Sequence, residues 1–293
     1  MDLHRIINVA AAAAFTLALT SPAQANWQTL VNEDFSDDPV AAGRANVTGD
    51  DPNAASRFTH TGNGLTAGYN GAEPTALLNW DLGRTLTQDD TFGVSTTFSI
   101  DALNADAFGQ LAFGFLNSVT TGTDRTSGIP GTDSFDLLSV DYYADDYLGT
   151  TVIPTDDGGD PSFLFPWGPA STLDSPLPEA ATLTAELTYT AANQIAALQI
   201  FQDGSPITFN ATAGTTIQTE TGGAEFAVDA FSLTLWKDNW LAEGDTFTGD
   251  LTFSDLTVST MIPEPHAAAL LGLGATVLLG RRRGRRELHA VGG

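Results

Sequence analysis

The sequence contains no cysteine, so the chain has neither disulfides nor thiolate ligands for a metal. Histidine is scarce as well, with four residues in 293, and 11 basic residues stand against 36 acidic ones. The lack of cysteine and the small supply of histidine together exclude zinc sites of the usual kinds. Phosphate-cradling glycine loops and dinucleotide-binding fingerprints are also missing from the sequence.

Negative charge is concentrated between residues 26 and 262. The chain ends hold three of the acidic residues and six of the basic ones, which leaves 33 acidic against 5 basic residues and a net charge of −28 in this region. Such a field repels phosphate backbones, so it excludes nucleic acid as a partner, and it also repels anionic lipid surfaces. With five cations for 33 carboxylates, we expect internal salt bridges to contribute little to stability.

The first 25 residues predict a secretory signal peptide that signal peptidase removes. Arg5 precedes an apolar stretch, residues 6–19, and Ala23-Gln24-Ala25 supplies the small residues of a cleavage site before Asn26. A retained membrane helix is the alternative, but the stretch is shorter than the ~20 residues that a membrane span needs. We therefore predict an exported protein.

The region from residue 26 to residue 260 has the patterning of a single all-β domain. Alternation of apolar with small or polar residues predicts strands over 92–100, 108–116, 135–143, 183–189 and 231–235. Glycine, asparagine and aspartate separate most of these segments, as turns require. The pattern predicts a two-sheet antiparallel β-sandwich, a jelly roll with a core of Phe, Leu, Val and Ile.

Two local features of this domain are also predicted. Within residues 195–209, the dipeptide Asp203-Gly204 tolerates positive φ and predicts a tight hairpin turn. The parity of the apolar residues in the last strand changes between Phe253 and Leu256. A bulge near Ser254-Asp255 would restore a single inward face.

Residues 144–180 form the one long stretch in which we predict no strand. The stretch contains six prolines and an acidic run with two glycines, but also Phe163, Phe165 and Trp167. A loop of this length is usually functional or disordered, and aromatic residues are uncommon in disordered linkers. We expect it to pack over one face of the sandwich.

The segments LVNEDFSDD and GDLTFSDLTVST open and close the predicted set of strands. This arrangement resembles the concanavalin A-like lectin/glucanase jelly roll, including the laminin-G-like domains of secreted bacterial proteins. The resemblance implies that the first and last strands lie side by side.

The chain ends, over residues 261–293, with three features in a row. Pro263-Glu264-Pro265 is followed by the uncharged apolar run 267–280 and by an arginine cluster within residues 281–286. The run is not amphipathic and is short for a span, and the arginines are expected to stay on the cytoplasmic side. We predict a single short transmembrane helix that anchors the chain transiently.

Together these three features resemble the PEP-CTERM sorting signal of Gram-negative bacteria. The resemblance implies that an exosortase, a membrane-embedded cysteine transpeptidase, recognises the signal and cleaves near the motif; its residues here are Pro263, Glu264, Pro265, Arg281, Arg282 and Arg283. Proteins of this family are associated with exopolysaccharide and biofilm formation. The resemblance therefore implies export through the inner membrane to the outer surface or the extracellular matrix.

A catalytic set is not evident in the sequence. Glucanases of the concanavalin A-like fold carry Glu-x-Asp-x-x-Glu on one strand, which places two carboxyl groups about 5 Å apart. This motif is absent from the sequence. Glu186 has no second glutamate nearby, and His60 is the one histidine that the predicted processing leaves. We predict that the protein is not an enzyme, with a glycoside hydrolase kept as the third interpretation.

Calcium is the cofactor for which the sequence supplies ligands. Hard carboxylate oxygens with flexible glycines between them suit Ca²⁺, and such residues occur in VDYYADD and TDDGGDP as Asp141, Asp145, Asp146, Asp156, Asp157 and Asp160. Their spacing is not that of an EF-hand, so a solvated acidic loop is the alternative.

Aromatic residues supply candidate platforms for sugar rings, namely Tyr142, Tyr143, Trp167, Trp236 and Trp240. Trp236 has the opposite parity to Leu233 and Leu235, so we expect it to point away from the core. The alternative is that these aromatic residues pack beneath the long loop. We predict an exported protein whose jelly roll binds extracellular polysaccharide; the alternative is a structural matrix or biofilm protein without a specific ligand.

Overall fold

The computed structural model describes residues 26–62, 64–101, 110–122, 136–143, 147–153, 177–237 and 248–262. By their contacts, residues 29–260 form one unit, and residues 1–28 with 261–293 form another, of which 26–28 and 261–262 are described. The signal peptide, the Pro-Glu-Pro motif, the apolar run and the arginine cluster lie outside the described residues. What the sequence predicts for them stays a prediction.

The described ranges consist of strands, turns and one short 3₁₀ helix, Ala54–Arg57. The strands are β1 (Asn26–Glu33), β2 (Asn46–Gly49), β3 (Phe58–Thr61), β4 (Gly64–Asn70), β5 (Ala76–Thr87), β6 (Phe92–Asp101), β7 (Gln110–Leu116), β8 (Leu137–Tyr143), β9 (Tyr147–Ile153), β10 (Leu183–Thr190), β11 (Ile195–Gln202), β12 (Ser205–Pro206), β13 (Ile217–Glu220), β14 (Ala227–Leu235) and β15 (Thr248–Ile262).

These strands form two sheets that pack face to face. The nine-stranded sheet has the order β12-β11-β10-β6-β15-β4-β3, with β1 also paired to β15 and β13 to β11. The six-stranded sheet has the order β2-β5-β14-β7-β8-β9. The pairings with a defined register are antiparallel, for example β6 with β10 and β14 with β7. The all-β, two-sheet antiparallel sandwich predicted from the sequence is confirmed.

The core lies between the two sheets and is built from the alternate residues that the sequence pattern singles out. In β10 the inward residues Leu183, Ala185, Leu187 and Tyr189 are fully buried, while the residues between them are partly or fully exposed. Phe92 is the centre of an aromatic group that joins the sheets. Its ring centroid lies 4.8 Å from that of Phe115, 5.4 Å from that of Tyr189 and 6.2 Å from that of Phe226.

The local features predicted for the chain are present. Asp203 and Gly204 have φ values of 52° and 76° and close the hairpin that β11 begins. The last strand, β15, pairs with the first, β1. The register between β15 and β6 shifts between Phe253 and Asp255, so the predicted bulge is confirmed.

The bulge has an electrostatic cost that a substitution can remove. Burial raises the pKa of the Asp255 carboxyl, and repulsion from Asp34 adds to the rise. A raised folded-state pKa means that the ionised form destabilises the fold above that pKa, and the effect disappears below the unfolded value of 3.8.

We therefore expect Asp255→Asn to stabilise the domain at pH 7 by less than about 1 kcal/mol, which corresponds to a rise in melting temperature of no more than about 4 °C. The gain should be absent near pH 3.5. Thermal unfolding followed by circular dichroism at pH 7 and at pH 3.5 measures the melting temperatures that test this. Asp203→Asn, in the exposed hairpin turn, removes the same formal charge and serves as control. An equal gain in both variants would attribute the effect to net charge instead.

The interpretation of residues 144–180 as one irregular stretch is wrong in its first part. Residues Tyr147–Ile153 form β9, which pairs along its length with β8 at the edge of the six-stranded sheet. The β-branched run Thr150-Thr151-Val152-Ile153 favours extended backbone, although prolines and acidic residues follow it closely. The described part of the remaining stretch, residues 177–180, leads into β10.

Although the chain has few cations, arginines in the described residues form ion pairs inside the fold. The carboxylate of Glu33, 3% exposed, receives hydrogen bonds from Arg44 Nε at 2.8 Å, from Arg44 Nη2 at 3.0 Å and from Trp80 Nε1 at 3.2 Å. Arg44 also pairs with Asp37 and lowers the pKa of that carboxyl. Arg57 pairs with buried Asp51 at 3.3 Å. The composition gives the number of cations, but it does not show that the few arginines pair with carboxylates inside the fold.

Candidate functional site

A polar depression lies on the outer face of the nine-stranded sheet. Its volume is about 370 Å³, and the described residues that line it are Thr61, Phe98, Ser99, Asp101, Thr182, Thr252 and Ser254. They come from β3, β6 and β15 and from the residue before β10. Phe98 contributes little surface, since its side chain faces the core and is 3% exposed.

Strand alternation places these polar side chains on the outer face. In β6 the neighbours Phe98 and Ile100 are buried, so Ser99 and Asp101 point outward. In β15 the neighbours Leu251 and Phe253 are buried, so Thr252 points outward. Because β6 and β15 are adjacent and antiparallel, their outward residues form one continuous polar surface.

Asp101 is the centre of a hydroxyl network in this depression. Its Oδ2 accepts hydrogen bonds from Ser99 Oγ at 3.3 Å and from Thr252 Oγ1 at 3.4 Å. Thr252 Oγ1 also lies 3.1 Å from Thr66 Oγ1. The two bonds to the carboxylate are longer than optimal hydrogen bonds, and a carboxylate has about four acceptor positions. The site can therefore accept further hydrogen bonds from a ligand.

A second carboxylate stands beside the depression. Asp250 of β15 is the cross-strand partner of Asp101 in β6, and like charges in directly opposed positions repel. The Asp250 side chain lies over Gly68, where its Oδ1 would be 3.4 Å from a Cβ added at that glycine. Asp101 instead contacts Ser99 and Thr252. Among the described residues that line the depression, Asp101 is thus the one that carries a carboxylate. This carboxylate can accept hydrogen bonds from polar groups of a ligand.

The described residues enclose one small cavity between the sheets that lies near a predicted site residue. An apolar cavity of about 20 Å³ lies between the sheets, which is room for about one water molecule. Tyr142 lines this cavity and is 5% exposed, and its hydroxyl oxygen accepts a hydrogen bond from the backbone N–H of Leu177 at 3.3 Å. Its ring offers no open face to a ligand in this structure, and the sugar-stacking role stays a prediction.

Trp236 and Asp141 lie on the outer face of the six-stranded sheet. Trp236 points away from the main core, as its parity predicts, and is 2% exposed in a second apolar cluster with Leu77, Ala112, Leu116, Leu137 and Ala230. Within the described part of the chain, its Nε1 is buried without a hydrogen-bond partner. Asp141 is 1% exposed, and its Oδ1 accepts a hydrogen bond from Ser139 Oγ at 3.2 Å. The face is buried around these two residues, so Trp236 offers no open ring face either.

The other predicted site residues lie outside the described residues. This holds for Trp167, Trp240, Asp145, Asp146, Asp156, Asp157, Asp160, Pro263, Glu264, Pro265, Arg281, Arg282 and Arg283, and for the side chain of Tyr143. Among the residues that are described, no three His, Asp or Glu side chains converge as metal ligands would. No helix in the described ranges is both long and apolar enough to cross a membrane.

The sequence analysis missed the depression, although one signal for it was available. The outward positions of two predicted strands are polar, as FSID and LTFSD show. Alternation indicates that these side chains face away from the core. It does not indicate that β6 pairs with β15, about 150 residues further along the chain, and that pairing is what brings Asp101 to Thr252.

No family model matches the sequence, and no curated protein does. Among solved structures, a winged bean acidic lectin complexed with methyl-α-D-galactose is 10% identical with a TM-score of 0.48, and the similarity covers 81% of this chain and 100% of the lectin. A peanut lectin with a nine-residue peptide is 11% identical with a TM-score of 0.46, covering 81% and 99%. An alginate lyase, A1-II′, is 14% identical with a TM-score of 0.39, covering 71% and 84%. The likeness concerns the arrangement of strands alone, because no ligand or site residue carries over at this similarity.

Proposed function

We propose that this protein is an exported surface or matrix protein whose sandwich binds polysaccharide in the polar depression around Asp101. The observation that carries the proposal is the convergence of one carboxylate with five hydroxyl side chains on an open sheet face. Hydroxyl groups both donate and accept hydrogen bonds, and a carboxylate accepts them strongly. A ligand rich in hydroxyl groups satisfies both kinds of partner.

The charge of the domain narrows the class of polysaccharide. A net charge of −28 in residues 26–262 repels uronate- or sulfate-bearing chains, and Asp101 places a carboxylate in the depression, with Asp250 beside it. We therefore propose a neutral polysaccharide as the ligand. The volume of about 370 Å³ is at the lower end of small-molecule sites, which suits one or two sugar units of a longer chain.

The location of the protein is proposed from the two chain ends. The N-terminal segment has the layout of a signal peptide, and the C-terminal segment has the Pro-Glu-Pro, apolar run and arginines of a PEP-CTERM signal. We propose signal peptidase and an exosortase as the processing partners and the outer surface of a Gram-negative bacterium as the destination. Ca²⁺ as a cofactor remains a prediction from the sequence.

Titration of the purified full chain against a panel of neutral and anionic polysaccharides tests the proposal. We expect one neutral glycan to bind, and we expect Asp101→Asn to weaken that binding by roughly 10-fold or more, because a hydrogen bond to a charged group contributes about 1.5–3 kcal/mol. The matched control is Asp250→Asn, which removes the opposing carboxylate from the same sheet face. Equal affinity of the Asp101 variant and the unsubstituted chain would contradict the site.

The second candidate is a structural matrix protein without a specific ligand. It is favoured by the burial of Tyr142 and Trp236, the two predicted sugar-stacking residues whose side chains are described. In that case the acidic surface would hold water and counterions, and no polysaccharide in the panel would bind in a saturable manner.

A further inference from the structure

The chain exposes two large apolar side chains at the corner where β1 begins and β15 ends. The described residues include four exposed large hydrophobic side chains, and two of them are Trp27, 46% exposed, and Ile262, 37% exposed. The flanking segments 26–32 and 256–262 contain no ionisable side chain, although residues 26–262 hold 33 acidic residues. The two strand ends therefore contribute no charge to this corner. The nearest acidic residues on a neighbouring element are Asp89 and Asp90, which precede Thr91, the acceptor of a hydrogen bond from Thr260 near the end of β15.

An antiparallel pairing of β1 with β15 would place Trp27 opposite Ile262. β4 and β6 flank β15 as far as Phe253, so β1 can pair with β15 only beyond that residue. Thr257 Oγ1 donates a hydrogen bond to Asn32 Oδ1 at 3.2 Å, which sets these residues side by side. A parallel β1 would place Trp27 beside Thr252, where β4 already lies, so β1 runs antiparallel to β15. Trp27 and Ile262 each lie five residues from this contact on their own strands. In an antiparallel pair they therefore occupy opposed positions.

The length of the connecting chain limits how far from this corner the apolar run of the tail can begin. Four residues, 263–266, separate Ile262 from the run, and an extended chain covers at most about 3.6 Å per residue. The run therefore starts within about 18 Å of Ile262. If the run enters a bilayer, this corner lies near the lipid headgroups. Tryptophan is enriched at that depth because its ring is apolar and its N–H is polar.

We infer that Trp27 and Ile262 form a lipid-contacting corner that enters the headgroup layer when the tail is anchored. The inference rests on the proposed anchoring of residues 267–280. It adds a contact made by the folded strands themselves, where the sequence predicts membrane contact through the tail alone. Cleavage after Ala25 would also place the positive α-amino group of Asn26 at this corner, where it would attract anionic headgroups.

The test uses the full chain in vesicles of phosphatidylethanolamine and phosphatidylglycerol with brominated acyl chains, which quench nearby tryptophans. The chain has five tryptophans, so the comparison is with Trp27→Phe, which keeps the apolar ring and removes one emitter. We expect the unsubstituted chain to be quenched and Trp27→Phe to lose most of that lipid-dependent quenching. Val119→Ser, which alters an exposed hydrophobic residue elsewhere, should leave it unchanged.

Flotation of the same vesicles separates the two proposals. A chain that floats with the vesicles but shows equal quenching with and without Trp27 overturns the lipid-contacting corner and leaves the tail anchor standing. A chain that does not float overturns the anchor and this inference with it. Floating together with loss of quenching in Trp27→Phe supports both.

Discussion

Replacing Arg57 with methionine is expected to destabilise the domain by about 3–5 kcal/mol, because it leaves a buried carboxylate without its partner. The side chain of Arg57 is 9% exposed and that of Asp51 is 3% exposed. Arg57 also donates hydrogen bonds to the backbone carbonyls of Gly68 at 3.1 Å, Pro74 at 3.1 Å and Asn70 at 3.4 Å. One arginine therefore holds the end of β4 and the turn after it.

Thermal unfolding of the full chain measures this effect, with an expected fall in melting temperature of about 10 °C. The matched control is Arg84→Met, since Arg84 pairs with Asp90 at 3.2 Å in an exposed setting and should contribute less than about 1 kcal/mol. The double variant Arg57→Met with Asp51→Asn should recover part of the loss, because the charge left unpaired is then removed. Equal melting temperatures for the Arg57 and Arg84 variants would contradict the buried ion pair.

Truncating Phe92 to alanine is expected to cost a similar amount, about 3–5 kcal/mol, for a different reason. Phe92 is fully buried and contacts Tyr189 within its own sheet and Phe115 of the facing sheet. The substitution removes the side chain that joins the two layers and leaves a cavity that the surrounding rings cannot close. Phe92→Leu, which keeps most of the volume, should cost less than about 1.5 kcal/mol.

Chemical denaturation of both variants tests the packing of the sandwich. If Phe92→Ala were as stable as Phe92→Leu, the sheets would not depend on this aromatic group. A fall confined to the alanine variant, with an unchanged denaturant slope, indicates a loss of packing and not a change in the unfolded state.

Alternation predicted several strands that have one face on the core and the other partly exposed. β6, β10 and β15 belong to this group, and even the bulge in β15 was readable from the change of parity after Phe253. β5 was missed because Ala76–Trp80 is buried on both faces, which removes the alternation. β14 is also buried on both faces over residues 231–235, but it was predicted because Ser232 and Thr234 alternate with apolar residues. A strand buried on both faces thus escapes periodicity only where both faces are apolar.

Alternation also does not show whether the second face of a strand meets solvent. The parity of Trp236 was predicted correctly, but the outer face of the six-stranded sheet is buried around it. The site around Asp101 could not be predicted from the sequence, for a related reason. It depends on the pairing of β6 with β15, and no local pattern encodes a contact between segments so far apart in the chain.

The most direct test of the proposed function is the melting temperature of the full chain with and without polysaccharides, measured for the unsubstituted chain, Asp101→Asn and Asp250→Asn. A ligand at about 100 times its dissociation constant stabilises the native state by about 2.7 kcal/mol, or roughly 5–10 °C here. We predict that one neutral polysaccharide raises the melting temperature of the unsubstituted chain and of Asp250→Asn, and that Asp101→Asn loses most of the rise. No rise with any polysaccharide, or an equal rise in Asp101→Asn, would contradict a polysaccharide site at the depression.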